Sequence, residues 1–221
     1  MRIFVLLIGV LGTGVLLWLG IWQMQRLEWK EGVLAEIEAR ITAAPVAVPQ
    51  TPDPEADRYL PVAADGTLVG PEVHVLVSTK LRGAGYRIIQ AFETDGRRML
   101  VDRGYVDVED KTKARTAGPV SVVGNLHWPD EIDSFTPDND IAANTWFARD
   151  VPSLAAHLNT EPVMIIARDV SPNDPSLTPL PVDTSGIPND HLGYAVTWFG
   201  LAAVWVGMTL LFLYRGRRKP A

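Results

Sequence analysis

Two long runs without a charged side chain bracket this chain, and they decide what it can fold into. One covers residues 3–22 and the other residues 194–214. A helix crosses a bilayer core in about 20 residues, so each run is long enough to span. Backbone in lipid has no water to bond, so both runs are expected to be helices. Arg215-Gly216-Arg217-Arg218-Lys219 follows the second run at once. Clustered Arg and Lys stay in the cytoplasm, so the chain is expected to enter the second helix from the other side. Arg2 and the amino group precede the first run and hold its start in the cytoplasm too. A cleavable signal peptide is the alternative. Its cleavage site needs small residues after the apolar core, but this run ends in Trp18-Leu19-Gly20-Ile21-Trp22. The expected plan is transmembrane helix 1 over 1–22, an outer domain over 23–193, transmembrane helix 2 over 194–214 and a basic tail over 215–221.

Both runs carry small residues at helix-packing spacing. The first has Gly9 and Thr13; the second has Gly200, Ala203 and Gly207. Such stripes let helices approach closely, so the two spans can pair or seat a partner's helix. The plainer alternative is that Gly and Ala are simply common in membrane helices.

The region between reads as one α+β domain rich in antiparallel strands. Residues 29–42 make an amphipathic helix, with Val33, Leu34, Ile37 and Ile41 on one face. Pro45, Pro49, Pro52 and Pro54 make 44–54 an extended linker. Strands are predicted over 72–80, 86–92, 98–106, 120–128 and 163–168. Asp95-Gly96 centres a hairpin turn between the second and third. Asp150 is placed to cap a short helix over 151–158. Residues 173–188 are proline-rich and form a loop leading to the second run.

Net charge is unevenly placed. All 26 Asp and Glu fall within 23–193, with 15 of the 20 Lys and Arg, which leaves that region at −11. An acidic domain argues against nucleic acid as partner. There is no cysteine, which excludes disulfides, thiolate metal sites and covalent c-type haem attachment. No nucleophile elbow, zinc-protease, P-loop or dinucleotide motif is present, so no catalytic residue is assigned. His74, His127 and His157 show no mutual ligand spacing and are expected to be core or surface histidines.

His191 stands apart. It precedes the second run, with Tyr194 and Trp198 at i+3 and i+7 on one helical face. Neutral imidazole is a good axial ligand for haem iron, and an interfacial helix end suits a flat apolar ring with carboxylates on one edge. The alternative is that the three residues form an interfacial belt anchoring the helix.

Three blocks then carry a likeness. They are Leu19-Gly20-Ile21-Trp22-Gln23-Met24-Gln25-Arg26-Leu27-Glu28-Trp29-Lys30; Gly85-Tyr86-Arg87-Ile88-Ile89 with Leu100-Val101-Asp102-Arg103-Gly104-Tyr105-Val106; and Pro188-Asn189-Asp190-His191-Leu192-Gly193-Tyr194-Ala195-Val196-Thr197-Trp198-Phe199. A weaker stretch is 135–140 with Trp146. Together the chain resembles the Surfeit locus protein family. It departs in Ala91 before Phe92, and in Asp102 and Asp190 where the family is expected to carry Asn. The resemblance implies a bacterial inner-membrane assembly factor for cytochrome oxidase, without catalytic turnover. It implies contact with haem a, oxidase subunit I, the haem A biosynthesis machinery and membrane lipid. His191 matches the family's candidate iron ligand, with Tyr194 and Trp198 beside it. Trp22, Gln23, Arg26, Trp29, Gly85, Tyr86, Arg103 and Gly104 are its motif residues for structure or partner contact. A scaffold that holds oxidase subunits while others insert haem is the rival.

Overall fold

Residues 23–28 join the two helical stretches of the sequence with no glycine or proline, and every one is a tolerable helix former. The computed structural model, which describes residues 2–216, therefore has one helix, α1 (Arg2–Ile41), in place of a span ending at 22 and a separate helix over 29–42. Pro45 lies just beyond its end. The second run forms α3 (His191–Arg215). Both helices are long and apolar enough to cross a membrane. Arg217, Arg218 and Lys219 of the basic tail lie outside the described residues. The chain divides into two units, one holding residues up to Glu36 and from Thr184 on, the other Ile37–Asp183.

The second unit is a barrel. Its strands are β1 (Pro61–Thr79), β2 (Gly83–Thr94), β3 (Arg97–Asp107), β4 (Gly118–Leu126) and β5 (Met164–Ser171). They close in the order β1-β2-β3-β5-β4, a small Greek-key arrangement of the class that includes OB folds. Among these five strands β3 and β5 pair in parallel and the other neighbours pair antiparallel. Asp95 and Gly96 both have positive φ, 50° and 73°, which is the turn whose twist matches a two-residue hairpin. β1 starts eleven residues earlier than the alternation at 72–80 suggests. Gly70 and Pro71 read as a break in the sequence. In the fold they are a bulge, with Gly70 at φ 71° and the register slipping between Val69 and Glu72. The bent strand pairs with β4 before the bulge and mainly with β2 after it.

Alternation buries both faces of the central strands. Phe92, Met99, Val101, Val122, Leu126 and Ile165 share one cluster with Val62 and Leu68, drawing on all five strands. Leu100, Met164 and Ile166 point the other way, against α2 (Val151–Leu158). That helix starts as expected: Asp150 accepts from the Ser153 N–H at 3.0 Å, a cap worth about 1 kcal/mol. At the other side Asn125, fully buried on β4, donates to the carbonyls of Ile41 and Tyr59, both at 2.9 Å. One amide thus satisfies an orphan carbonyl at the end of α1.

β3 carries the buried charge. Asp102 and Arg103 are adjacent and therefore point to opposite faces. Asp102, 0% exposed, receives Arg87 at 2.7 Å and Arg149 at 3.3 Å, and Arg149 continues to Glu131. Arg103, 3% exposed, reaches Glu72 at 3.1 Å, Gln90 at 2.9 Å and the Thr116 carbonyl at 2.9 Å. Arg115 closes on Glu72 at 2.7 Å. Burial would push Glu72 up, but His74, Arg115 and Arg103 outweigh it and hold the carboxyl below its ordinary value.

Gly104 is the hinge of this run. Two residues, Arg103 and Gly104, stand opposite the single Ile88, a bulge with Gly104 at φ 112°. A Cβ there would overlap the Thr178 carbonyl and lie 2.8 Å from Pro179 Cα. The next residue, Tyr105, exchanges backbone bonds with Thr178 at 2.7 and 2.9 Å. Arg87 donates to the Leu180 carbonyl at 3.1 Å, and Asp174 accepts from the Thr116 N–H at 2.7 Å. The proline-rich loop is thus stitched onto the barrel.

Two outcomes follow. Gly104→Glu forces a side chain into packed backbone at a φ that only glycine adopts cheaply, and should cost roughly 4 kcal/mol or more. Protein abundance in membranes and the urea midpoint measure it; wild-type values in both would show Gly104 to be a free surface residue. His127 supplies the second. It stacks on Tyr59 at 5.1 Å, and burial, then the charges of Arg149 and Arg58, push its imidazole down to about 4. The unfolded chain takes up that proton first, near the ordinary value of 6.5. Stability should therefore fall as pH drops from 6.5 towards 4, by of order 2 kcal/mol after discounting for the accessible ring edge. His127→Phe should flatten the upper part of that window, above the range where Glu72 and Glu131 titrate. An unchanged slope of urea midpoint against pH would refute it.

Candidate functional site

The site predicted from sequence lies in the first unit. There α1 and α3 run antiparallel, and glycine on one helix receives bulk from the other. A Cβ at Gly9, Gly12 or Gly20 would overlap the side chains of Thr209, Trp205 and Phe199 respectively. Trp205 donates its indole N–H to the Gly9 carbonyl at 3.2 Å. Arg2 donates to the Gly216 carbonyl at the far end. Gly9 thus sits in the contact, as its spacing suggests, and Thr13 bonds back to the Gly9 carbonyl at 2.7 Å. The stripe Gly200, Ala203, Gly207 faces away: nothing lies within 4 Å of a Cβ at Gly200 or Gly207. Ala195 and Ala202 are the buried small residues of α3. The glycine notches are on α1, and α3 fills them with Thr209, Trp205 and Phe199.

His191 opens α3 at the end of this contact. Its Nδ1 lies 2.8 Å from Oε1 of Gln23, which is 8% exposed on α1. An amide oxygen can only accept, so Nδ1 carries the proton and donates. In the neutral ring Nε2 then keeps its lone pair, the state in which imidazole binds a metal. Trp198 is half-buried on the same side of α3, whereas Tyr194 is 57% exposed. Along α1, Trp22 and Trp29 are exposed, and the Arg26 guanidinium lies 4.3 Å over the Trp29 ring. Gln23 and Arg26 are one helical turn apart. The helix pair therefore offers one neutral ligand nitrogen, aromatic faces and a nearby cation. These suit a flat apolar macrocycle with carboxylates, which brings four nitrogens and needs only an axial protein ligand. No three His, Asp or Glu converge on a metal-sized site among the described residues.

The other motif residues belong to the barrel. Gly85 makes room for the Tyr105 ring, a Cβ there lying 2.5 Å from its Cζ, and the Tyr105 hydroxyl bonds the Ala84 carbonyl at 3.0 Å. Tyr86 carries Lys111 over its ring at 4.6 Å. With Arg103 and Gly104 they hold strands and loop. His74 and His157 pack on Tyr86 and Trp146. Sequence reasoning did not pair Gln23 with His191. The available signal was its register, since residues 9, 12, 16, 20 and 23 repeat at threes and fours and put Gln23 on the glycine face.

A family model described as the SURF1 family matches residues 10–203. The chain is 32% identical over 207 residues to Surfeit locus protein 1 of Homo sapiens, covering 82% of this chain and 68% of the relative. It is 31% identical over 197 residues to a SURF1-like protein of Rickettsia felis, covering 84% and 86%. A SURF1-like protein of Monosiga brevicollis is 31% identical over 219 residues, covering 90% and 83%. The chain spans about two thirds of the length of the vertebrate relatives, as with the 66% of the Xenopus tropicalis protein. With the match running from α1 through the barrel into α3, this chain belongs to the SURF1 family.

Proposed function

We propose that this protein is a membrane-anchored assembly factor for haem-copper cytochrome oxidase that takes transient custody of haem a at His191. The observation that carries the reading is the His191–Gln23 hydrogen bond at 2.8 Å, which leaves Nε2 as a ligand nitrogen at the end of an apolar helix pair. When bound, haem supplies the iron and its own ring nitrogens. His191 would hold the iron, Trp198 and Tyr194 would pack against the ring, and Arg26 would answer the carboxylates. One protein ligand instead of two would keep the hold weak enough for release to oxidase subunit I, the haem A biosynthesis machinery being the source. No group is assigned a catalytic role.

The membrane is a bacterial inner membrane in this reading, with the barrel in the periplasm and both termini in the cytoplasm. Support comes from the two apolar helices and from the positions of Arg2 and the basic tail. The scaffold alternative rests on one observation, the outward stripe of Gly200 and Gly207, which would let a client helix approach α3 closely.

A reporter active only in the cytoplasm should work when fused after Ala221 and be silent when inserted in the exposed loop near Pro137. The reverse pattern would sink the topology. His191→Ala should lose most of the bound haem while membrane abundance stays normal, because a half-buried imidazole at a helix end with one side-chain hydrogen bond contributes little to folding. Trp198→Phe should lose less, since the aromatic face remains and only the indole N–H goes. The measurement is Soret absorbance per mole of protein purified from cells that make haem a. Equal haem in wild type and His191→Ala removes His191 as ligand, and haem in neither favours the scaffold.

A further inference from the structure

The geometry points to Gln23 as the positioning residue that decides which nitrogen of His191 faces a haem iron, an assignment that rests on the custody reading above. An imidazole has two tautomers, and the hydrogen bond at one nitrogen selects which of them is present. Here the acceptor is the Gln23 amide oxygen, 2.8 Å from Nδ1. It holds the proton on Nδ1, fixes the ring plane and turns the Nε2 lone pair outward. Gln23 is itself held. It is buried at the α1–α3 contact, one turn after Gly20, whose notch is filled by Phe199. It is also the first polar side chain after the uncharged run of α1. Ligand histidines in metal sites use this arrangement: a partner on the second nitrogen orients the ring and raises its basicity, and losing the partner costs 10–100-fold in metal affinity. The two helices are thereby tied to one chemical task. α3 supplies the ligand and α1 sets its tautomer.

The test uses the full chain in detergent, labelled with ¹⁵N-histidine and free of haem, followed by titration with haem a. Protonated and unprotonated imidazole nitrogens are well separated in ¹⁵N shift, and His191→Ala identifies the His191 signals. Wild type should show Nδ1 protonated and Nε2 bare. Gln23→Leu should lose that preference and bind haem a 10–100-fold more weakly. Gln23→Glu restores an acceptor and should recover both. If Gln23→Leu fails to reach the membrane, Gln23→Met keeps the length without an amide and carries the same comparison. A wild-type proton on Nε2 overturns the assignment, because the amide would then be donating. So does a tautomer that ignores Gln23→Leu. A tautomer that shifts while haem affinity stays unchanged shows the bond to be a helix pin only, and also overturns it. Undiminished haem binding in His191→Ala overturns the custody reading instead, and is distinguishable because the tautomer is read without haem.

Discussion

The barrel depends on a charge placed where charge is expensive. Asp102 is fully buried, and an isolated carboxylate there would cost many kcal/mol. It is tolerated because Arg87 and Arg149 meet it from two other segments, and the Gly104 N–H donates to it at 3.1 Å. Arg87 comes from β2 and Arg149 from the segment before α2, so the bonds tie together pieces far apart in sequence. Such a network adds little over an apolar core of the same volume, yet removing one member costs about 3–5 kcal/mol. The constraint it imposes is geometric. Only one register of β2 on β3 puts Arg87 beside Asp102, and the bulge at Gly104 is what sets that register. The resulting kink also opens the backbone to Thr178, so the same three residues fix strand pairing, charge pairing and the path of the loop.

The helix pair is built on the opposite principle. In the proposed membrane there is no hydrophobic drive between helices, since lipid is as apolar as a side chain. Contact must come from shape. Three glycines on α1 receive Thr209, Trp205 and Phe199, so the backbone of one helix meets the side chains of the other. The stripe Gly200, Ala203, Gly207 has similar spacing but another phase, so it takes no part in this contact and stays open to a partner's helix. Complementarity here pairs small with large, and single-sequence spacing registers only the small.

What could be read from sequence was local. The Asp95-Gly96 hairpin and the Asp150 cap each need only a few adjacent residues, and both are found as expected. The apolar runs are long enough to be unmistakable. What was hidden involved either a rule broken on purpose or partners distant in the chain. Gly70-Pro71 breaks a strand pattern, yet as a bulge it lets β1 bend and serve both β2 and β4. The ion networks join Glu72 to Arg115 and Asp102 to Arg149, spacings with no periodic trace. At the candidate site His191 was legible as an oddity at a helix start. Its partner Gln23, at the opposite end of the sequence, was legible only as a polar residue in a helix register.

Magnitudes decide what the Gln23–His191 bond is for. Hydrogen bonds between membrane helices average about 0.6 kcal/mol, because the separated helices also find partners. That is small beside the dispersion lost if Trp205 or Phe199 left its notch, where each large side chain makes tens of contacts of about 0.1–0.2 kcal/mol. The helices therefore do not need Gln23 to stay together. An interaction too weak to hold the fold but well directed at one nitrogen of a half-buried imidazole acts on orientation. For the proposed carrier, orientation would matter in a way that strength does not. A second protein ligand would deepen binding by several kcal/mol and slow release by the same factor. Under the proposed custody of haem, a single ligand set in the right tautomer would let iron bind without rearrangement and leave without one. The glycine notches hold the helices together, and the side-chain pair Gln23–His191 is left free to set the proposed ligand.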